Sequence, residues 1–391
     1  MTRLRDLGLG IGSFAPGHHN AITDVAGVRV GHTTLISGTS PSSDGPVRTG
    51  VTIVQPRAGN VRDKPVFAGA VSLNGNGELT GLEWVRESGL LTTPIGLTNT
   101  FSVGVVRDAI AEYDTRTSGT DTYWSMPVVG ETYDGVMNDI HGQHVTAQHV
   151  FDALDAAQPG PVAEGNVGGG TGMLCHEFKG GIGSSSRVLS EMDGGWTVGV
   201  LVQANYGTRE ALRVDGVPVG SLIPASEVPP PISSRSSAAY HRLPAGAGSI
   251  IVIVATDAPL LPGQCRRLAM RAAVGLSRVG GAASDSSGDI MIAFSTGNDS
   301  IPGEYYGSPD LTMTHELRAV PHQLLTPVFE AVSDATEEAI LNAMLAAEDM
   351  TGRDGIVAHA LDGERLLEVI HNYRGSGRGE ATDSTATAAC N

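Results

Sequence analysis

The sequence predicts an α+β fold, on three observations. The run at 250–256, IIVIVAT, is almost wholly β-branched and has the length of a buried strand. Elsewhere apolar residues recur every three or four positions, as at Leu268, Ala272 and Leu276, the spacing of a helix packed on one face. The two patterns mix without a regular βαβ period, hydrophobic strands follow one another in hairpin-like succession, and no fixed-length repeat is present.

In chain order, Asn20 to Ile36 reads as strand broken at Gly27 and Gly31, followed by a Ser/Gly/Pro loop. GVTIVQPR and VFAGAVSL are further strands. From Glu78 the period turns helical through Leu79, Leu82, Val85 and Leu90, with Thr80 as the cap. TPIGLTNTFSVGVVRDAIAEY reads as strand or loop, then helix from about Val103. MPVV is a short strand leading into a polar cluster, and Thr146 caps the helix that follows. After a glycine-dense stretch, Trp196 to Gln203 forms a strong strand that places Asn205 at its end. The segment from Ser226 to Gly248 is a long loop, and the strand 250–256 follows it. A helix ended by Gly280-Gly281, a strand from Ile290 to Phe294 and a long helical region, clearest from Thr336 to Met344, complete the ordered part. The expected organisation is one domain over 1–373 and a disordered tail over 374–391.

Composition narrows the function. The 25 basic and 42 acidic residues give a net charge of −17, which argues against a nucleic-acid partner and suits ligands that carry an amine. Cys175, Cys265 and Cys390 have neither a disulfide framework nor zinc spacing. No signal peptide or membrane span is legible, so no membrane partner and a cytoplasmic location are expected. The glycine clusters complete no G-x-G-x-x-G, and no G-K-[ST] follows them. His141, His144 and His149 lack the H-E-x-x-H arrangement, and no G-x-S-x-G elbow exists. No metal and no cofactor are therefore expected.

The stretch AGAGS ahead of IIVIVAT carries the main functional hypothesis. If the Gly248–Ser249 bond is cut, Ser249 gains an α-amine of ordinary pKa near 7.7–8.0, which can serve as base for its own hydroxyl. Glycine at 248 tolerates unusual backbone angles and leaves its carbonyl open to attack. Locally, a glycine turn entering a core strand accounts for the same residues.

The chain also carries, in order, ITDVAGVRVGH, NGNGELTG, TPIGLTNTFSVG, GETYDGVMNDIHG, GNVGGGTGM with FKGGIGSSSR, VGVLVQANYG, GSIIVIVATDAPL, LSRVGG and SSGDI. With these, it resembles the L-aminopeptidase/D-esterase and β-peptidyl aminopeptidase group, the DmpA type, from Leu4 to about Tyr373. The resemblance implies a four-layered αββα sandwich, like that of N-terminal nucleophile hydrolases but differently connected. It implies a precursor cut into an α chain, 1–248, and a β chain, 249–373, that stay together, and homotetramers of αβ units. Substrates would be small peptides, amides or esters with a free amine.

By motif position, Ser249 would be the nucleophile. Ser287 and Asp289 would hold the terminal amine and hydroxyl, with Asp289 standing where some relatives have Glu. Asn205 would supply an oxyanion donor and Tyr133 would lie near the nucleophile. Glu131 would bind the substrate's ammonium. Without the resemblance, the default readings are Asn205 as a turn residue, Glu131 as a structural carboxylate, and SSGDI as a polar entry to a strand. Two rivals stay open at this level: an acyltransferase of related architecture, whose known types use threonine, and an uncleaved binding protein.

Overall fold

The computed structural model describes residues 2–39, 45–118, 124–231, 248–281, 284–301, 303 and 314–379. The first half contains strands β1 (Arg29–Ser37), β2 (Val47–Gln55) and β3 (Val66–Gly75), helix α1 (Leu82–Ser88), and strands β4 (Leu90–Leu91) and β5 (Ile95–Asn99). Helix α2 (Val103–Ser118), strand β6 (Val128–Thr132) and helix α3 (Ala147–Asp155) follow. Then come β7 (Leu174–Cys175), β8 (Phe178–Lys179), β9 (Gly181–Val188), β10 (Thr197–Asn205) and the short α4 (Val219–Leu222). The remainder is β11 (Ser249–Thr256), α5 (Pro262–Val279), β12 (Gly288–Ser295), α6 (Thr326–Leu345), the ribbon β13 (Met350–Thr351) and β14 (Val357–Ala358), and α7 (Gly363–Gly379).

Two sheets face each other, one ordered β1-β2-β5-β6 and the other β4-β3-β12-β11-β10-β9. Strand β11 shows why both its faces are apolar. Ile250, Val252 and Val254 pack with Leu268, Ala272 and Val332 of α5 and α6, while Ile251, Ile253 and Ala255 meet Ile95, Leu97 and Val128 of the other sheet. Each of these large aliphatic side chains contributes roughly 2 kcal/mol by leaving water. On the far side, Val106, Ile110, Val150 and Leu154 of α2 and α3 cover Val51, Ile53 and Val129. The layers are helices, sheet, sheet, helices, the αββα order expected.

Hairpin-like succession holds for β1–β2 and β9–β10, which are sequential and antiparallel. It does not describe the centre. Strands β5 and β6 are parallel, as are β11 and β12, and each pair is joined through a helix, α2 or α5. Strand β3 pairs with β12, much later in the chain.

Four local readings also change. Strand β9 lies in the glycine-dense stretch, where buried Ser184 and Ser185 replace apolar residues by donating to Val200 O and Ala335 O. Gly81, not Thr80, precedes α1, because the Thr80 hydroxyl bonds Pro127 O at 2.7 Å and receives Val129 N–H at 2.9 Å; Leu90 opens β4. Strand β6 runs on through Thr132, so Glu131 belongs to the strand itself and not to the polar cluster expected after it. Helix α7 continues to Gly379 and crosses the boundary expected at Tyr373; the rest of the tail, with Cys390, and most of the loop before Gly248 lie outside the described residues.

Candidate active site

Three adjacent strand ends form the site. In the ladders, Ser249 stands opposite Asn205 of antiparallel β10 and opposite Gly288 of parallel β12. Ser249 is only 6% exposed, so its hydroxyl needs a partner, and Gly288 N–H donates to Oγ at 3.1 Å. The same N–H lies 3.3 Å from the Gly248 carbonyl oxygen and donates to it too. One donor thus spans the hydroxyl and the carbonyl of the bond in front of it. Gly248 has φ +158°, and a β-carbon there would fall 2.1 Å from Asn205 O, so no other residue fits against β10.

Asn205 is oriented from both ends of its amide. Leu174 N–H donates to Oδ1 at 2.8 Å, and Nδ2 donates to Tyr133 O at 3.1 Å. The alternative placement of O and N would set donor against donor and acceptor against acceptor. One Nδ2 proton goes to Tyr133; the amide has a second. On β10, Gln203 and Asn205 lie on the face turned toward the other sheet, where Gln203 bonds Thr98 O and Thr132 Oγ1 at 2.9 Å each. The link to Tyr133 is through its main chain. Its ring folds over Gly135 and packs in the cluster of Val136, Met137 and Met350.

Ser287 and Asp289 flank Gly288. Ser287 Oγ donates to Asp289 Oδ1 at 2.5 Å, and Ile250 N–H also donates to that carboxylate. Burial raises the Asp289 pKa, and these two donors hold it down. The pairing of β12 with β3 shifts register between Asp289 and Ile290, a bulge that leaves Leu73 as the extra residue. The turn ahead of Ser287 is clasped by the NGNGE segment: Asn74 Nδ2 donates to Ser284 O, Asn76 Nδ2 to Ser286 O at 2.8 Å, and Asn76 N to Ser287 O at 3.2 Å.

Glu131 comes from the facing sheet. It is 4% exposed and accepts Glu78 N–H on Oε1 at 3.1 Å and the Thr100 hydroxyl on Oε2. Burial raises its pKa; Thr100 and the Glu78 amide lower it, and the Glu78 charge opposes them. The carboxylate has hydrogen bonds but no counter-charge among its described partners, the condition in which an ammonium is attracted. Gly77 lies between it and Gly288: a β-carbon there would lie 3.2 Å from Glu131 Oε1 and 3.0 Å from Gly288 Cα.

Of the residues expected, Ser249, Asn205, Ser287 and Asp289 therefore gather at three neighbouring strand ends, with Glu131 across Gly77. Asn99 is buried, donating to Thr49 Oγ1 at 2.7 Å and accepting from Phe101 N at 3.0 Å. The three neighbouring histidines diverge: His141 stacks edge-on with Phe101, His144 bonds Asp139, and His149 receives Thr146 N–H. Among the described residues no group of three or more His, Cys, Asp or Glu could hold a metal, and no helix is long and apolar enough to cross a membrane. Sequence reasoning missed Gly288, Thr100 and the Leu174 amide. Only Gly288 had a signal, its place between Ser287 and Asp289; main-chain donors leave none.

The family model for peptidase family S58 matches residues 20–358. The chain is 48% identical over 378 residues to a β-peptidyl aminopeptidase of Sphingosinicella microcystinivorans, covering 95% of this chain and 92% of that one. A Burkholderia sp. β-aminopeptidase superposes with TM-score 0.87 at 55% identity, covering 95% and 99% of the two chains. The L-aminopeptidase D-Ala-esterase/amidase of Ochrobactrum anthropi, described as a prototype of the serine aminopeptidases and a variant of the Ntn hydrolase fold, superposes with TM-score 0.83 at 41% identity, covering 96% and 99%. These likenesses favour neither the acyltransferase nor the uncleaved binding protein. With its αββα layers and a serine opening the central strand, the chain belongs to peptidase family S58 and is an aminopeptidase of the serine N-terminal-nucleophile type.

Proposed function

We propose that the chain cuts itself at Gly248–Ser249 and that Ser249 then releases N-terminal residues, β-amino acids foremost, from small peptides and amides. The observation that carries this reading is the Gly288 N–H shared between Ser249 Oγ and the Gly248 carbonyl oxygen. In the first step Oγ attacks the Gly248 carbonyl carbon. The C–N bond breaks, the hydroxyl proton passes to the nitrogen, which becomes the α-amine of Ser249, and Gly248 is left as an ester on Oγ. Water cleaves the ester to a Gly248 carboxylate and the Ser249 hydroxyl, now beside its own free α-amine.

In turnover, that amine takes the Oγ proton as the hydroxyl attacks the substrate carbonyl, and returns it to the leaving amine. Water then clears the acyl group. Gly288 N–H and Asn205 Nδ2 stabilise the oxygen on which charge develops, where a single such donor contributes about 3 kcal/mol. Ser287 and Asp289 hold the terminal amine, and Tyr133 supports Asn205 through its carbonyl. Glu131 receives the substrate's ammonium, which limits cleavage to free N-termini. The preference for β-residues rests on the likeness to two β-aminopeptidases at 48% and 55% identity, above the 41% to the L-aminopeptidase. A single domain whose last helix runs on to Gly379, a homotetramer of αβ units and a cytoplasmic site of action complete the proposal; the buried free thiols of Cys175 and Cys265 support a reducing compartment.

Intact mass with N-terminal sequencing tests it. The expected result is two fragments, one beginning Ser-Ile-Ile, from the native chain and one uncut, inactive chain from Ser249→Ala. A native chain that persists whole, or a processed Ser249→Ala protein, overturns it. A panel of β-homoalanyl, L-alanyl and D-alanyl anilides then ranks the substrates.

A further inference from the structure

Lys179 is fully buried on β8, facing Leu174 of β7 in the ladder. Its ammonium donates to Gly180 O at 2.7 Å, Met173 O at 2.8 Å and Gly170 O at 3.4 Å. Those carbonyls use all three of its protons. Burial pulls its pKa down to about 7, while the charges of Cys175 and Asp134 oppose the shift. Buried lysine is costly, and this one is spent on main-chain carbonyls of the glycine-rich turn rather than on an ion pair in direct contact.

The decisive partner is Met173 O. That carbonyl and Leu174 N–H belong to one peptide group, and Leu174 N–H is the donor that holds Asn205 Oδ1 at 2.8 Å. Gly180 N–H reaches the same carbonyl at 2.9 Å. A cation on the oxygen of a peptide draws electron density from its nitrogen and makes the N–H a stronger donor. The side-chain amide of Asn205 responds in the same way: a stronger bond on Oδ1 makes its Nδ2 protons more acidic and fixes their direction. The order of groups is Lys179 Nζ, the Met173–Leu174 peptide, the Asn205 amide, and the site of the developing charge.

We propose that Lys179 is a positioning residue that orients and polarises Asn205 through the Met173–Leu174 peptide, and so acts in self-processing and in turnover alike. This rests on the reading of Asn205 as an oxyanion donor. Because the effect appears only when negative charge develops on the carbonyl oxygen, it falls on kcat and leaves substrate binding alone.

The test compares Lys179→Met, Lys179→Gln and Asn205→Ala in the full chain. Processing is followed by intact mass, folding by thermal melting, and kcat and KM with an aminoacyl p-nitroanilide. Lys179→Met is expected to slow processing and lower kcat by about 10-fold or more at a KM within about twofold of native, since second-layer partners act on this scale. Lys179→Gln, which keeps a neutral donor, is expected to fall between, and is the deciding variant if Lys179→Met does not fold. The inference is overturned if kcat and processing are unchanged, or if kcat and KM deteriorate together with the melting temperature. Asn205→Ala separates the two readings: native activity there removes the oxyanion role itself, whereas loss there with normal Lys179 variants removes only the relay.

Discussion

Gly288 rests its α-carbon directly against Gly77, with no side chain between them. A β-carbon on Gly288 would fall 2.6 Å from Gly77 Cα and 2.6 Å from Asn76 O, and one on Gly77 would fall 3.0 Å from Gly288 Cα. The contact joins the strand that hydrogen-bonds the nucleophile to the segment that hydrogen-bonds Glu131. Gly288→Ala must push these backbones apart and take the Gly288 N–H off Ser249 Oγ. Loss of one such donor costs about 10²-fold in kcat. Time courses of processing and kcat for Gly288→Ala are expected to show that loss; native values for both would remove the donor role of Gly288.

Gly248→Ala is expected to remain uncut. Its β-carbon would overlap Asn205 O at 2.1 Å and crowd Tyr206 Cα at 2.9 Å, so the carbonyl cannot stay under the Gly288 N–H. Intact mass over days is the measurement, and complete processing of this variant contradicts the reading.

Glu131→Gln is expected to raise KM for free-amine substrates about 10- to 100-fold, the worth of a hydrogen bond to a charged group, and to leave processing at its native rate. The native enzyme is expected to carry the matching pH signature. Burial raises the Glu131 pKa, so the carboxylate loses its charge on acidification earlier than an exposed glutamate does. KM therefore climbs as pH falls through that raised pKa. Thr100→Val removes a bond that lowers the pKa and moves the climb to higher pH; a KM profile unaffected by Thr100 counts against this assignment.

Stability should carry a separate acid signature. His32 and His176 are held neutral by burial, with pKa values lowered to about 4. The unfolded chain protonates them near 6.5, so their stabilisation is complete above that pH and is lost as pH falls toward 4, by about 2 kcal/mol each at pH 5. Asp134, Glu164 and Glu337, raised by burial to about 7, act in the opposite sense and favour the folded state as pH falls from 7 to 4. The histidine part is read as a difference. Urea unfolding at pH 7.5 and pH 5 should show a smaller acid loss in His32→Gln than in the native chain, and an equal loss argues against a neutral buried His32.

Strands with wholly apolar faces were the most legible part of the sequence. β11 announces itself because both of its faces enter a core, and α5 because its apolar residues keep helical spacing and Gly280 ends it. Strand β9 was hidden because its interior is built from serine and glycine; a β-carbon at Gly183 would meet Ala339 O at 1.9 Å, so close helix packing replaces hydrophobicity there. The pairing of β3 with β12 was hidden because register between distant segments leaves no local pattern. In the site, Ser249 and Asn205 stand at the ends of strong strands, which marks their place, but their roles follow from the family resemblance and not from the strand pattern. Thr100 and Leu174 could not, because their roles depend on which backbone lies beside them in the folded chain.

The strand order β4-β3-β12-β11-β10-β9 alternates material from either side of residue 248. Strands β11 and β12 are wedged between β3 and β10, and the opening segment is tied to the late helix α6 by Leu4 N–H on Asn342 Oδ1 at 2.9 Å. A cut before Ser249 therefore leaves every ladder in place, yet it changes the molecularity of folding. The intact chain assembles this sheet in a unimolecular reaction, whereas the cut fragments must first find one another. On the proposed processing, the cut would act as a ratchet: the sheet would form once, as a single chain, and after scission its recovery from unfolding would become second order and fall with dilution.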